Sequence, residues 1–136
     1  MATDQHDSDV IIAGVGQTPV GEHWDLGLRE LATHAIVDAI HDALGLKPQI
    51  MYIGNMLAVS ASRQANLGAL LPDEAGLHGL EGVTIEAADA SGGAALRSAY
   101  LAVRSGAVDT AIAVGVEKWT DVIGSESEAF LSQMLD

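Results

Sequence analysis

Cysteine is absent from the 136-residue chain, which excludes a disulfide scaffold, a thiolate metal site and a thiol nucleophile among its own side chains. Aromatic residues are scarce at 4%, and alanine, glycine, leucine and valine dominate, so helices packed closely on a sheet are expected rather than an aromatic binding surface. Basic residues are few as well. Six Lys and Arg face 19 Asp and Glu, for a formal charge of −13, and nucleic acid is not expected as a partner because phosphate binding needs clustered cations. No apolar run approaches the roughly 20 residues that cross a bilayer. The acidic start "MATDQHDSDV" lacks the basic end of a signal peptide, so a cytoplasmic, membrane-free protein is expected. The acids are scattered rather than blocked, which reads as a solvated surface that keeps the protein soluble. A basic partner or, with only two lysines, adaptation to a salty cytoplasm are the alternatives.

What is present is a globular composition, 49% hydrophobic, of about one domain's length. Residues 1–8 are polar and read as a mobile terminus. "DVIIAGVG" (9–16) reads as a buried strand closed by glycines. Over 26–45, Leu28, Leu31, Ala32, Ala35, Ile36, Ala39, Ile40 and Ala43 recur at helical spacing, with Gly45 as the stop. "QIMYIGNML" (49–57) is a second strand, and 62–76 a short helix ended before Pro72. "GVTIEAA" (82–88) is a third strand, 91–106 a long helix, and "DTAIAVGVEKW" (109–119) a fourth strand. Beyond Thr120 the pattern fades to an amphipathic turn or two. Strands alternating with helices give an α/β class with a mostly parallel sheet and helices on both faces.

Ligand chemistry in such folds collects at the carboxyl ends of strands. "GVGQTP" carries Gly14 and Gly16, but Pro19 stands where a dinucleotide loop has its third glycine, so a tight strand exit is the reading preferred. His34, Asp38 and His41 share a helix face that could hold a metal, although His and Asp at that spacing are commonplace on a solvated face, and no metal site is assigned. "AADASGG" stands apart. It opens a helix whose first turn has unpaired N–H groups and a partial positive charge. Gly92 and Gly93 remove side chains there, so a ligand or a facing strand can come close. The place suits an anion or a nucleophile, unless Asp89 or Ser91 only caps the helix.

Taken together, "VIIAGVGQTPVGEHWD", "LRELATHAIVDAI", "IGNML", "RQANLGALL", "EAADASGGAALRSAYLAVRSG" and "VGVEKWTD" resemble, in order, the opening of the thiolase superfamily. The likeness is strongest to archaeal and sterol-carrier-type thiolases and covers nearly the whole chain. The resemblance implies an acyltransferase of the acetyl-CoA acetyltransferase kind, forming or cleaving carbon–carbon bonds in acyl-coenzyme A thioesters and serving lipid metabolism. It implies the partial N-terminal half of a five-layer α/β/α/β/α fold, with strand order 3-2-1-4-5, the third strand at the edge, and dimers. By that likeness 9–120 is an incomplete N-terminal α/β domain, and 121–136 begins a loop region cut short.

Within the family, the residue matching Asp89 is the nucleophilic cysteine that accepts the acyl group. Here "EAA" and "ASGG" are kept and the nucleophile is replaced, so Asp89 is the candidate catalytic position and substrate is placed near Gly92 and Gly93. The family's coenzyme A loop, histidine and second cysteine fall beyond Asp136. A carboxylate attacking a thioester would give a mixed anhydride, and it is a weak base near neutrality. Ordinary turnover is therefore not expected of this chain alone, and Asp89 is expected to cap the helix first. The expected function is an N-terminal fragment or subunit of a thiolase-like acyltransferase, with no covalently bound cofactor and acyl-CoA as substrate, working as a homodimer or with a partner subunit. Two alternatives stand beside it: a thiolase-like retro-aldolase subunit working with an OB-fold partner, and a non-catalytic assembly domain.

Overall fold

The structure, a computed structural model, describes residues 9–122 and 124–133. The expected mobile terminus at 1–8 lies outside the described residues. Among the described residues eight elements follow in order: α1 (Leu28–Asp42), β1 (Ile50–Gly54), α2 (Ala58–Ala61), α3 (Leu67–Glu74), β2 (Glu81–Ile85), α4 (Ser91–Arg104), β3 (Ala111–Gly115) and α5 (Ser125–Ser132). The three strands form a parallel sheet in the order β2-β1-β3, with Ile50 level with Glu81 on one side and Ala111 on the other. This is the α/β class with helices on both faces that strand–helix alternation implies.

The central strand explains the layering. "IMYIG" is apolar at nearly every position because both of its faces are covered. Met51 and Ile53 point one way, with Val114 of β3, and join Leu28, Ala32 and Ile36 of α1 and Leu67 and Leu71 of α3 in the main core. Each of the larger aliphatic side chains among them, fully buried, contributes about 1.5–3 kcal/mol. The other face takes α4, whose buried Ala95 and Ala99 let the helix lie close. Helix α1 begins at Gly27, whose N–H donates to Glu30 Oε2 at 2.6 Å, the reaching-back half of a capping box. Helix α5 buries none of its residues; Ser60 Oγ donates to Gln133 Oε1, just past its end, at 3.2 Å.

Two expectations are overturned. Residues 9–16 are not a buried strand: the segment has no ladder partner among the described residues, and Ile11, Ile12 and Val15 are 69–78% exposed. It lies against α1 through its glycines. A Cβ at Gly14 would fall 2.5 Å from the Ala39 carbonyl oxygen, and one at Gly16 would strike the Ala35 carbonyl. Val15 N–H donates to Asp42 Oδ2 at 2.9 Å. Both ladder edges of β1 are already taken by β2 and β3. The β-branched pattern reports side chains that suit a pleat, and it does not compel one. The 3-2-1-4 part of the expected order thus becomes third-second-fourth, with the third strand at the edge as expected. Likewise α3 does not stop before Pro72 but runs through it to Glu74. The proline ring is buried on β2, where a Cβ on Gly82 would come within 3.0 Å of Pro72 Cγ, and that packing holds the turn together.

Candidate functional site

Because the strands are parallel, their carboxyl ends Gly54, Ile85 and Gly115 lie on one side of the sheet. Three of the four sequence-flagged strand ends meet there. The connection from β2 to α4 forms a tight elbow. Ala88 sits in the left-handed region, φ 48°, a conformation that costs an L-residue about 1–2 kcal/mol. Its N–H donates to Glu86 Oε1 at 2.6 Å, and its carbonyl accepts from Ser91 Oγ at 2.6 Å. Ser91 Oγ in turn accepts the N–H of Ala87 at 2.9 Å. Ser91 is 5% exposed, so this hydroxyl is locked in place.

Asp89 follows the left-handed residue and is exposed. It does not cap α4. The N-cap is Ala90 with no side-chain cap hydrogen bond, and the Asp89 carboxylate makes no hydrogen bond or ion pair with any described residue. Ser91 does not replace Asp89 as a cap: its hydroxyl bridges the Ala87 N–H and the Ala88 carbonyl within the elbow, ahead of the helix, so no side chain among the described residues caps α4. Gly92 and Gly93 both face open space, and a Cβ at either would meet nothing within 4 Å. Neither glycine is demanded by packing within the described residues. The start of α4 seats on the sheet through Gly54 instead, whose added Cβ would strike the Ser91 carbonyl.

Beside the elbow lies a polar frame that the sequence does not reveal. Asn55, just after β1, is 6% exposed; its Nδ2 donates to the Val116 carbonyl at 2.8 Å and to Glu117 Oε1 at 3.1 Å, and its Oδ1 accepts Ala58 N–H at 2.9 Å. Glu117 Oε2 accepts the N–H groups of Met56 at 3.0 Å and Leu57 at 3.1 Å. The ends of β1 and β3 are thereby tied by side chains from "GNML" and "GVEKWTD". Periodicity marks those stretches as strand exits, but nothing in it says that this asparagine finds this glutamate.

Lys118 is 5% exposed and ion-paired with Asp121. It borders a recess of about 430 Å³ between residues 16–21 and residues 115–120. "GVGQTP" thus forms a wall of this recess, and His23 Nε2 is 2.7 Å from the Pro19 carbonyl. His34, Asp38 and His41 are exposed on the outer face of α1, and among the described residues no three such side chains converge as metal ligands.

With this geometry in hand, comparison with known proteins is specific. Residues 10–135 match the family described as "Thiolase, N-terminal domain". An acetyl-CoA acetyltransferase of Methanothermobacter thermautotrophicus is 47% identical over 117 residues, covering 85% of this chain and 30% of the relative. One of Methanocaldococcus jannaschii is 43% identical over 122 residues, covering 88% of this chain and 31% of the relative. The chain therefore spans less than a third of the length of the curated relatives it matches.

Proposed function

Since the chain belongs to the thiolase family, through its N-terminal domain, we propose that it is the elbow-bearing part of an acyltransferase acting on acyl-coenzyme A thioesters, with residue 89 at the acyl-accepting position. One observation carries this: a left-handed Ala88 turns residue 89 outward at the carboxyl end of β2, at the head of a helix whose first turn carries two glycines open to solvent, Gly92 and Gly93. An anion is stabilised there by the helix's positive end, and Gly92 and Gly93 leave room for the thioester carbonyl to approach.

The aspartate at this position changes the outcome. Acyl transfer to a carboxylate would exchange a thioester for a less stable mixed anhydride, so the parent chain carries out neither thiolysis of acetoacetyl-CoA nor condensation of acetyl-CoA. The proposed setting is the cytoplasm, in a homodimer or with a partner subunit. Among the described residues no helix is long and apolar enough to cross a membrane.

Acyl transfer in an Asp89→Cys variant tests the reading. The introduced thiolate attacks the acetyl-CoA carbonyl, the thioester bond to coenzyme A breaks, and coenzyme A leaves as its thiol. Intact-mass measurement then counts acetyl groups. The expected rate is at least about tenfold above that of a thiol placed by Ser105→Cys on the exposed end of α4, in keeping with an activated nucleophile at a helix start. Equal rates at the two positions would overturn the proposal. Full turnover is not expected from either variant.

A further inference from the structure

The elbow spends two side chains on one alanine. The Ala88 N–H is held by Glu86 Oε1 at 2.6 Å, and the Ala88 carbonyl by Ser91 Oγ at 2.6 Å, so the peptide groups on both sides of its Cα are fixed. The two jaws differ in character. Ser91 is buried, and its hydroxyl also takes the Ala87 N–H, so it holds from inside the fold. Glu86 is exposed and holds from the solvent side. A chain that only had to turn here could use glycine, which adopts φ 48° freely. This chain instead uses an alanine that resists the conformation and two side chains that enforce it.

We propose that Glu86 and Ser91 are positioning residues: together they clamp residue 88 in the left-handed region and so fix the direction in which residue 89 leaves the backbone relative to the start of α4. The proposal rests on the reading of residue 89 as the acyl-accepting position, and it assigns roles to two residues beyond it. Released from the clamp, Ala88 relaxes toward the right-handed or extended regions, and the side chain at 89 swings relative to the N–H groups of Gly92 and Gly93. Of the two, Ser91 sets the aim and Glu86 stops the turn from opening outward.

The absence of cysteine makes the test clean, because Asp89→Cys creates the single thiol in the chain. Its alkylation by iodoacetamide is followed against pH, alone and combined with Ser91→Ala, Glu86→Ala or Glu86→Gln, with far-UV circular dichroism on each protein. A thiol held at a helix start should titrate about one pH unit or more below the ordinary 8.5. Ser91→Ala and Glu86→Ala should each raise the midpoint by about 0.5 unit or more, roughly a threefold loss of thiolate at pH values below it. Glu86→Gln keeps the acceptor oxygen and should leave the midpoint in place.

A variant that only loses stability would show a lower melting temperature with an unmoved midpoint in the folded protein, and that result overturns the clamp. An undepressed midpoint in Asp89→Cys itself also overturns it. If Ser91→Ala does not fold, the solvent-side Glu86→Ala decides the matter alone. Failure of acetyl transfer with the midpoint shifts intact would sink the acyltransferase reading and leave the clamp standing.

Discussion

Replacing Glu117 by alanine removes the acceptor of three donors without touching the core. The carboxylate itself is exposed, so its charge is screened and contributes little. The cost lies with the donors. Leu57 is 1% exposed and Asn55 6%, whereas Met56 is only half-buried and can turn to water. Glu117→Ala therefore leaves one buried backbone N–H unpaired, at about 1–3 kcal/mol, while Asn55 Nδ2 keeps its bond to the Val116 carbonyl. A total of about 2 kcal/mol is expected. Glu117→Gln divides the effect: its oxygen can keep both backbone N–H groups, but its amide nitrogen then faces the Asn55 amide, donor to donor. About 1 kcal/mol should be lost, and most of it should disappear in an Asn55→Ala background, where the conflict is gone. Urea denaturation at 25 °C reads this directly, since a slope of about 2 kcal/mol per molar places the alanine variant's midpoint roughly 1 M below the parent. A loss below about 0.5 kcal/mol for Glu117→Ala, or equal losses for alanine and glutamine, would refute the argument that buried donors set the cost.

Two further outcomes follow from the same geometry. Asp89→Ala should change the unfolding free energy by less than about 0.5 kcal/mol, because the carboxylate holds nothing among the described residues; a loss near 1 kcal/mol in thermal or urea unfolding would show that it caps α4 after all. Asp121→Ala strands the buried Lys118 ammonium and should cost about 1–3 kcal/mol, less than for a fully buried pair because Asp121 is 43% exposed. Lys118→Met removes the charge along with its need for a partner and should cost less; the reverse order in denaturant midpoints would mean that the pair, not desolvation of the lysine, dominates.

Much of the scaffold is legible in the residues themselves. The stripe from Leu28 to Ala43 identifies α1, and the unbroken apolar run at Ile50–Gly54 identifies a strand covered on both faces. What misleads is any signal whose meaning depends on a neighbour. Ile11, Ile12 and Val15 look like core residues, yet Gly14 and Gly16 are what bring that segment against α1. Pro72 reads as a helix stop unless Gly82 is known to lie beneath its ring. At the site, "AADASGG" announces an elbow, but an alanine in the left-handed region has no sequence signature, and so neither the free Asp89 carboxylate nor the Ser91 hydroxyl bound back into the elbow can be foreseen. The burial of Lys118 has no signal in the local pattern, because it depends on how the chain from β3 folds back.

At Gly54 the central strand meets the elbow main chain to main chain. An added Cβ there would lie 2.5 Å from the Ser91 carbonyl carbon and 2.7 Å from Gly92 Cα. Contacts between side chains can adjust by changing rotamer, but backbone against backbone has no such freedom. The gap between sheet and helix is set at this point by atomic radii alone, which makes it the fulcrum of α4. When substitutions or heat loosen the packing around Ala95 and Ala99, the helix can swing at its Arg104 end while its first residue stays put. The lever arm from that fulcrum to residue 89 is only a few residues long, and drift elsewhere in the domain reaches the site greatly reduced.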